Sequence, residues 1–94
     1  MKQTILPINP IYRRPVVEQA TGKSRSTLYR EIKAGLMPKP VKLGGGLSGW
    51  PANEVQAINQ ARISGKSEEE IKELVIELEA SRKEPSANTA KVRA

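Results

Sequence analysis

Proline and glycine punctuate this chain, and that punctuation limits what it can fold into. Seven of each are spread over 94 residues. Proline lacks an N–H and clashes with the preceding turn, so it opens or ends helices and stays out of central strands. Glycine adopts the left-handed backbone that closes a helix. The spacing of these breakers leaves room for short helices and a hairpin around one modest core.

Read between the breakers, the order of elements is definite. Residues 1–12 form an extended arm holding Pro7 and Pro10, with Ile11-Tyr12 as a short edge strand. Pro15 opens a first helix, which runs to Thr21 with Val16, Val17 and Ala20 as its apolar face. Gly22 ends that helix and supplies a tight turn. Ser24 is a good N-cap for a second helix from Arg25 to Ala34, where Leu28 and Ile32 share one face and Gly35 is the stop. Met37-Pro38-Lys39-Pro40 cannot be helical. Val41-Lys42-Leu43, the three glycines Gly44-Gly45-Gly46, and Leu47 to Trp50 predict a β-hairpin. Pro51 opens a third helix, Ala52 to Arg62, with Val55 and Ile58 inward. Ser67 and Glu70 have capping-box spacing and start a fourth helix that reaches Arg82. Its stripe of Ile71, Leu74, Val75 and Leu78 either completes the core or meets a partner or a second copy. From Lys83 the composition is polar and small, and a disordered tail is expected over 83–94.

Composition narrows the function. The chain has no Cys and no His, which removes disulfides, zinc chemistry and the commonest general base. Three of the ten acids fall in one run, Glu68-Glu69-Glu70, which reads as a solvated helix start. No enzymatic activity, cofactor or small-molecule substrate is expected. Neither a membrane span nor a signal peptide is visible, so the expected location is the cytoplasm. Charge is uneven. Residues 1–66 carry eleven Lys/Arg against three Glu, a net of +8, while 67–94 carry five against seven, a net of −2. A basic body with an acidic appendage suits a polyanion.

Four strings fix a resemblance. Thr21-Gly22-Lys23-Ser24-Arg25-Ser26-Thr27-Leu28-Tyr29-Arg30, then Gly35-Leu36-Met37-Pro38-Lys39-Pro40-Val41-Lys42-Leu43-Gly44, then Gly49-Trp50 and Glu54-Val55, resemble the AlpA family of phage and mobile-element regulators. The family is related in fold to MerR-type and excisionase DNA-binding domains. The resemblance implies a mainly α fold with a small β-hairpin, a winged helix-turn-helix over 13–64; the amphipathic C-terminal helix over 65–82 lies outside the family pattern. The resemblance implies that the second helix enters the major groove of double-stranded DNA and that the hairpin, as a wing, meets the neighbouring backbone or minor groove. Family members regulate transcription or act as recombination directionality factors beside an integrase. Two positions depart from the pattern: Gly44-Gly45-Gly46-Leu47 stands where the wing turn often has Arg, and Ile58 where an aromatic is common.

The expected DNA-contact set is Lys23, Ser24, Arg25, Ser26, Thr27, Tyr29, Arg30, Lys33, Lys39 and Lys42. Arg can read guanine with two hydrogen bonds, and Ser is adaptable. Lys33, a turn further on, suits phosphate, as do Lys39 and Lys42 at the start of the wing. Tyr29 either faces DNA or packs beside Ile32. Ser24 caps the helix, and the N–H groups beside it suit a phosphate. Thr27 either meets phosphate or tightens the first turn. Trp50 is expected in the core rather than stacked on a base. Gly22-Lys23-Ser24 lacks the upstream glycine of a nucleotide-binding loop. The leading expectation is therefore a sequence-specific DNA-binding regulator of a prophage or mobile element. The alternative is an adaptor docking an acidic partner such as an integrase or response regulator.

Overall fold

The computed structural model describes residues 8–83. The first seven residues of the expected arm and residues 84–94 of the expected tail lie outside the described residues. The order is β1 (Ile11–Tyr12), α1 (Arg14–Thr21), α2 (Arg25–Ala34), β2 (Val41–Gly44), β3 (Leu47–Pro51), α3 (Ala52–Ile63) and α4 (Glu68–Ser81). The strands form an antiparallel sheet in the order β1-β3-β2. The hairpin foreseen from the sequence is thus extended by the edge strand, with Tyr12 opposite Trp50.

Local chemistry accounts for each boundary. Arg13 is the N-cap of α1, with Pro15 in the first turn, where its missing N–H costs nothing. Gly22 closes α1 at φ 72°, donating its N–H to the Glu18 carbonyl. A Cβ in that conformation would be strained, so glycine permits the turn to be this short. The Ser24 Oγ accepts the Thr27 N–H at 3.2 Å and starts α2 two residues later. At its far end the Gly35 and Leu36 amides return to the Ile32 and Glu31 carbonyls. The capping box of α4 forms in both directions between Ser67 and Glu70.

α3 is capped from a distance. Pro51 offers no side chain to its free amides. Asn9 supplies one instead, its Oδ1 accepting the Asn53 N–H at 2.9 Å, while the Pro10 carbonyl accepts the Ala52 N–H at 2.8 Å. The residues entering β1 therefore complete the start of a helix more than forty positions away.

One core joins all the layers. Val17, Leu28, Leu36, Met37, Trp50, Val55, Ile58, Ala61, Ile71 and Val75 are buried together, with Tyr12, Ile32, Leu74 and Leu78 packed against them. Trp50 is in the core, as expected, and donates Nε1–H to the Pro38 carbonyl at 2.8 Å. That bond satisfies its polar edge and holds the proline-rich segment against β3. The α4 stripe packs within the molecule: Ile71 and Val75 are buried, Leu74 and Leu78 half-buried. Gly49 has no room for a side chain, since a Cβ would lie 2.6 Å from Ile11 Cγ2 and 2.9 Å from the Tyr12 carbonyl oxygen.

One expectation for α1 is corrected. Val17 is fully buried, but Val16 is 48 % exposed and Ala20 is exposed as well. Val16 lies about 100° around the helix from Val17, and an eight-residue helix meets the core along a narrow line only.

Candidate nucleic-acid interface

α2 divides cleanly into two faces. Leu28 is fully buried and Ile32 half-buried, which fixes the inward side. Arg25, Ser26, Tyr29, Arg30 and Lys33 are all exposed on the remaining surface. The anchoring stripe and the polar face thus follow from one 3.6-residue period.

Tyr29 is turned outward. Its ring is 44 % exposed, and the Arg25 guanidinium lies 6.0 Å from the ring centroid, at the outer limit of a cation–π contact. Arg14, on α1, donates Nε–H to Glu18 at 2.8 Å. That bond raises the guanidinium pKa, with the Tyr29 phenol adding in the same direction.

Ser24 and Thr27 have their structural roles. Ser24 Oγ accepts the Thr27 N–H and donates to Thr27 Oγ1 at 3.0 Å, with Ser26 Oγ 3.4 Å away. Three hydroxyls therefore gather at the first turn of α2. Lys39 and Lys42 are exposed at the entrance to and within β2. Past them, Gly44, Gly45 and Gly46 form the hairpin turn, and open space surrounds each.

Lys23 departs from the expected arrangement. Its side chain is only 15 % exposed, and its ammonium donates to Glu31 Oε1 at 2.6 Å. Arg62 of α3 approaches the other Glu31 oxygen at 3.6 Å. Here Lys23 braces the helical turn against α2 rather than joining the exposed set. Glu31 is the acid that sets Lys23 apart from the exposed cations of α2, and no local pattern marks it, because Lys23 is eight residues away.

A second ion pair was also unforeseen. Glu54 is buried, with 3 % of its side chain accessible, and Arg82 donates to both its oxygens, at 2.8 and 2.6 Å. The Glu54 carboxylate raises the Arg82 pKa, against the opposing effect of burial. A signal for an inward Glu54 does exist in the sequence. Positions 54, 58 and 61 lie on one helical face with Ile58 and Ala61, both buried.

The outer side of α4 is acidic: Glu69, Glu73 and Glu77 are exposed there, with Ile76 68 % exposed among them. Among the described residues no cluster of His, Cys, Asp or Glu could hold a metal ion. No helix among them is long and apolar enough to cross a membrane.

With this geometry in view, comparison with known proteins decides the family. The family model described as prophage CP4-57 regulatory protein (AlpA) matches residues 10–63, more than half of the chain. The chain belongs to the AlpA family. The AlpA match runs from the residues before β1 to the end of α3, taking in both helices of the tight turn and the whole sheet. α4 follows it. An uncharacterized protein of Enterobacteria phage P4, ORF88, is 43 % identical over 54 residues, covering 57 % of this chain and 61 % of that relative. The matched segment thus spans less than two thirds of the phage protein. No solved structure matches the chain. AlpA membership makes the chain one of a family of phage regulatory proteins.

Proposed function

We propose that the chain is a sequence-specific, double-stranded DNA-binding regulator of a prophage or mobile element. The observation that carries this reading is the exposed cationic face of α2, anchored from behind by Leu28 and Ile32. In this reading α1, the Gly22 turn and α2 act as a helix-turn-helix. α2 lies in the major groove, with Arg25, Ser26 and Arg30 at base edges and Lys33 on phosphate. Tyr29 sits between the arginines as an amphipathic contact. The β2–β3 hairpin acts as the wing on the adjacent backbone or minor groove, with Lys42 and Lys39 supplying charge. The first-turn amides beside Ser24 that it leaves uncapped face a phosphate. Lys23 stays with Glu31 and joins the contacts only by leaving that pair.

One such helix reads a few base pairs. Affinity then rests on phosphate neutralisation, with a salt slope of about −0.9 per phosphate contacted, and specificity on base contacts worth about 1–3 kcal/mol each. Strong discrimination requires repeated sites or DNA bending, which fits transcription control and recombination directionality alike.

Selection of duplexes from a random-sequence pool, followed by gel-shift titration against salt, tests the reading. A shared motif is expected, bound with a steep salt dependence that falls in Arg30→Ala. Enrichment of no motif, with no duplex bound even at low salt, would sink it. Genomic mapping then separates roles, since promoter sites mark transcription control and an array beside an attachment site marks excision.

A further inference from the structure

The last turn of α4 grips the entrance to the hairpin. The Lys39 N–H donates to Glu79 Oε2 at 2.8 Å, and the Lys39 carbonyl accepts from Arg82 at 2.6 Å. Both backbone groups of one residue, two positions before β2, are thus held at the end of α4, by Glu79 in its last turn and by Arg82 at its C-cap. The adjoining Pro38 carbonyl is held from the other side by Trp50. The same Arg82 guanidinium closes on the buried Glu54 carboxylate. Its planar fork therefore joins three elements at once: α3, α4 and the segment leading into β2. A lysine could not do this, because an ammonium is a point donor without the fork.

A buried ion pair is often no more stabilising than apolar side chains of the same size. Its geometric consequence is the more informative one. Glu54 lies inside the span matched by the AlpA family model, and its partner Arg82 lies beyond it. The span that the family model matches therefore lacks both the partner of this carboxylate and the two side chains that hold Lys39.

We propose that Arg82 is a positioning residue for DNA binding: by clamping Lys39 to Glu54 it fixes the placement of the hairpin relative to α2, without touching DNA itself. The proposal rests on the DNA-binding reading for its consequence but not for its geometry. α4 accordingly acts as a structural extension that sets how the two DNA-facing elements are presented together.

The test uses the full chain, which has no cysteine, so two introduced thiols are unique. Nitroxide labels at Ser26→Cys on α2 and Leu47→Cys on the hairpin report the distance between them in DNA-free protein. Three backgrounds are compared: wild type, Arg82→Lys, and the paired replacement Glu54→Met with Arg82→Met. The paired variant removes the clamp without stranding a charge, so it folds even where Arg82→Ala does not. The wild-type distance distribution is expected to be narrow, and both variants to give a broadened or shifted one. Without the label cysteines, the paired variant should bind a duplex selected by the wild-type chain at least about tenfold more weakly. Arg82→Lys should rescue neither property. A folded paired variant with the wild-type distance distribution overturns the proposal. So does a changed distribution with unchanged affinity. A wild-type chain that selects no duplex removes the DNA reading, while the distance measurement still decides whether Arg82 places the hairpin.

Discussion

α2 and α4 are built alike and present opposite surfaces. Each starts at a serine N-cap whose hydroxyl accepts an amide of the first turn. Each buries one stripe in the same core, Leu28 with Ile32 on α2 and Ile71 with Val75 on α4. Outward, α2 carries Arg25, Arg30 and Lys33, whereas α4 carries Glu69, Glu73 and Glu77. The contrast teaches that packing fixes where a helix lies and leaves its outer face free to choose a partner. A polyanion is drawn to the first face and repelled by the second. The acids that do serve structure, Glu18, Glu31, Glu54, Glu70 and Glu79, are turned to cations or backbone within the molecule.

The comparison can be broken at four places. The largest effect is expected in the core. Leu28→Ala and Ile71→Ala should each destabilise by about 3 kcal/mol, since both side chains are fully buried. Urea unfolding measures this, and a far smaller loss at Ile71 would remove α4 from the cooperative unit. Next is the outer surface. Arg30→Ala should weaken duplex binding by about 1–3 kcal/mol and leave stability within about 0.5 kcal/mol. Glu77→Ala should leave binding unchanged or slightly stronger. Equal losses in the two variants would erase the distinction between the faces. The caps come third. Ser24→Ala and Ser67→Ala should each cost about 1 kcal/mol, read as a lower melting temperature. An unaltered melting temperature in either would deny its serine a capping role.

The smallest effect is one of pH. The Ser67 amide, helped by the charge of Lys66, holds the Glu70 carboxyl below its ordinary range. A depressed folded-state pKa contributes stability that is complete above the unfolded value, near 4.5, and is lost as pH falls through the folded one. The first turn of α4 should therefore fray under acid before α2 does, since α2 has no acid in its first turn. Amide exchange at Glu70 and Thr27 between pH 5 and pH 3, in the range of carboxylate titration, checks the order. Simultaneous loss at both caps would contradict it.

Much of this organisation was legible in the sequence, for a local reason. Gly22, Ser24 and Gly35 fix the turn and the bounds of α2 within a few residues of themselves, and Ser67 with Glu70 does the same for the start of α4. The hairpin follows from three consecutive glycines between short strands, and the burial of Trp50 from its size. What the sequence hid depends on partners far along the chain. Asn9 caps α3 across forty-four positions, and Arg82 reaches Glu54 across twenty-eight. Lys23 looked like one more exposed cation because Glu31 is on the next helix. Val16 looked like core because α1 is too short for its period to show which line of residues faces inward. For the interface, the exposed set on α2 could be read from periodicity, whereas the clamp that places the hairpin beside it could not.

The most direct measurement is a backbone amide titration of the isotope-labelled chain with a selected duplex, followed by nuclear magnetic resonance. The account predicts that shifts and line broadening concentrate at residues 24–33 and on the β2–β3 hairpin, leaving the outer face of α4 at its free positions. Perturbations centred on Glu69, Glu73 and Glu77, with residues 24–33 unmoved, would contradict it.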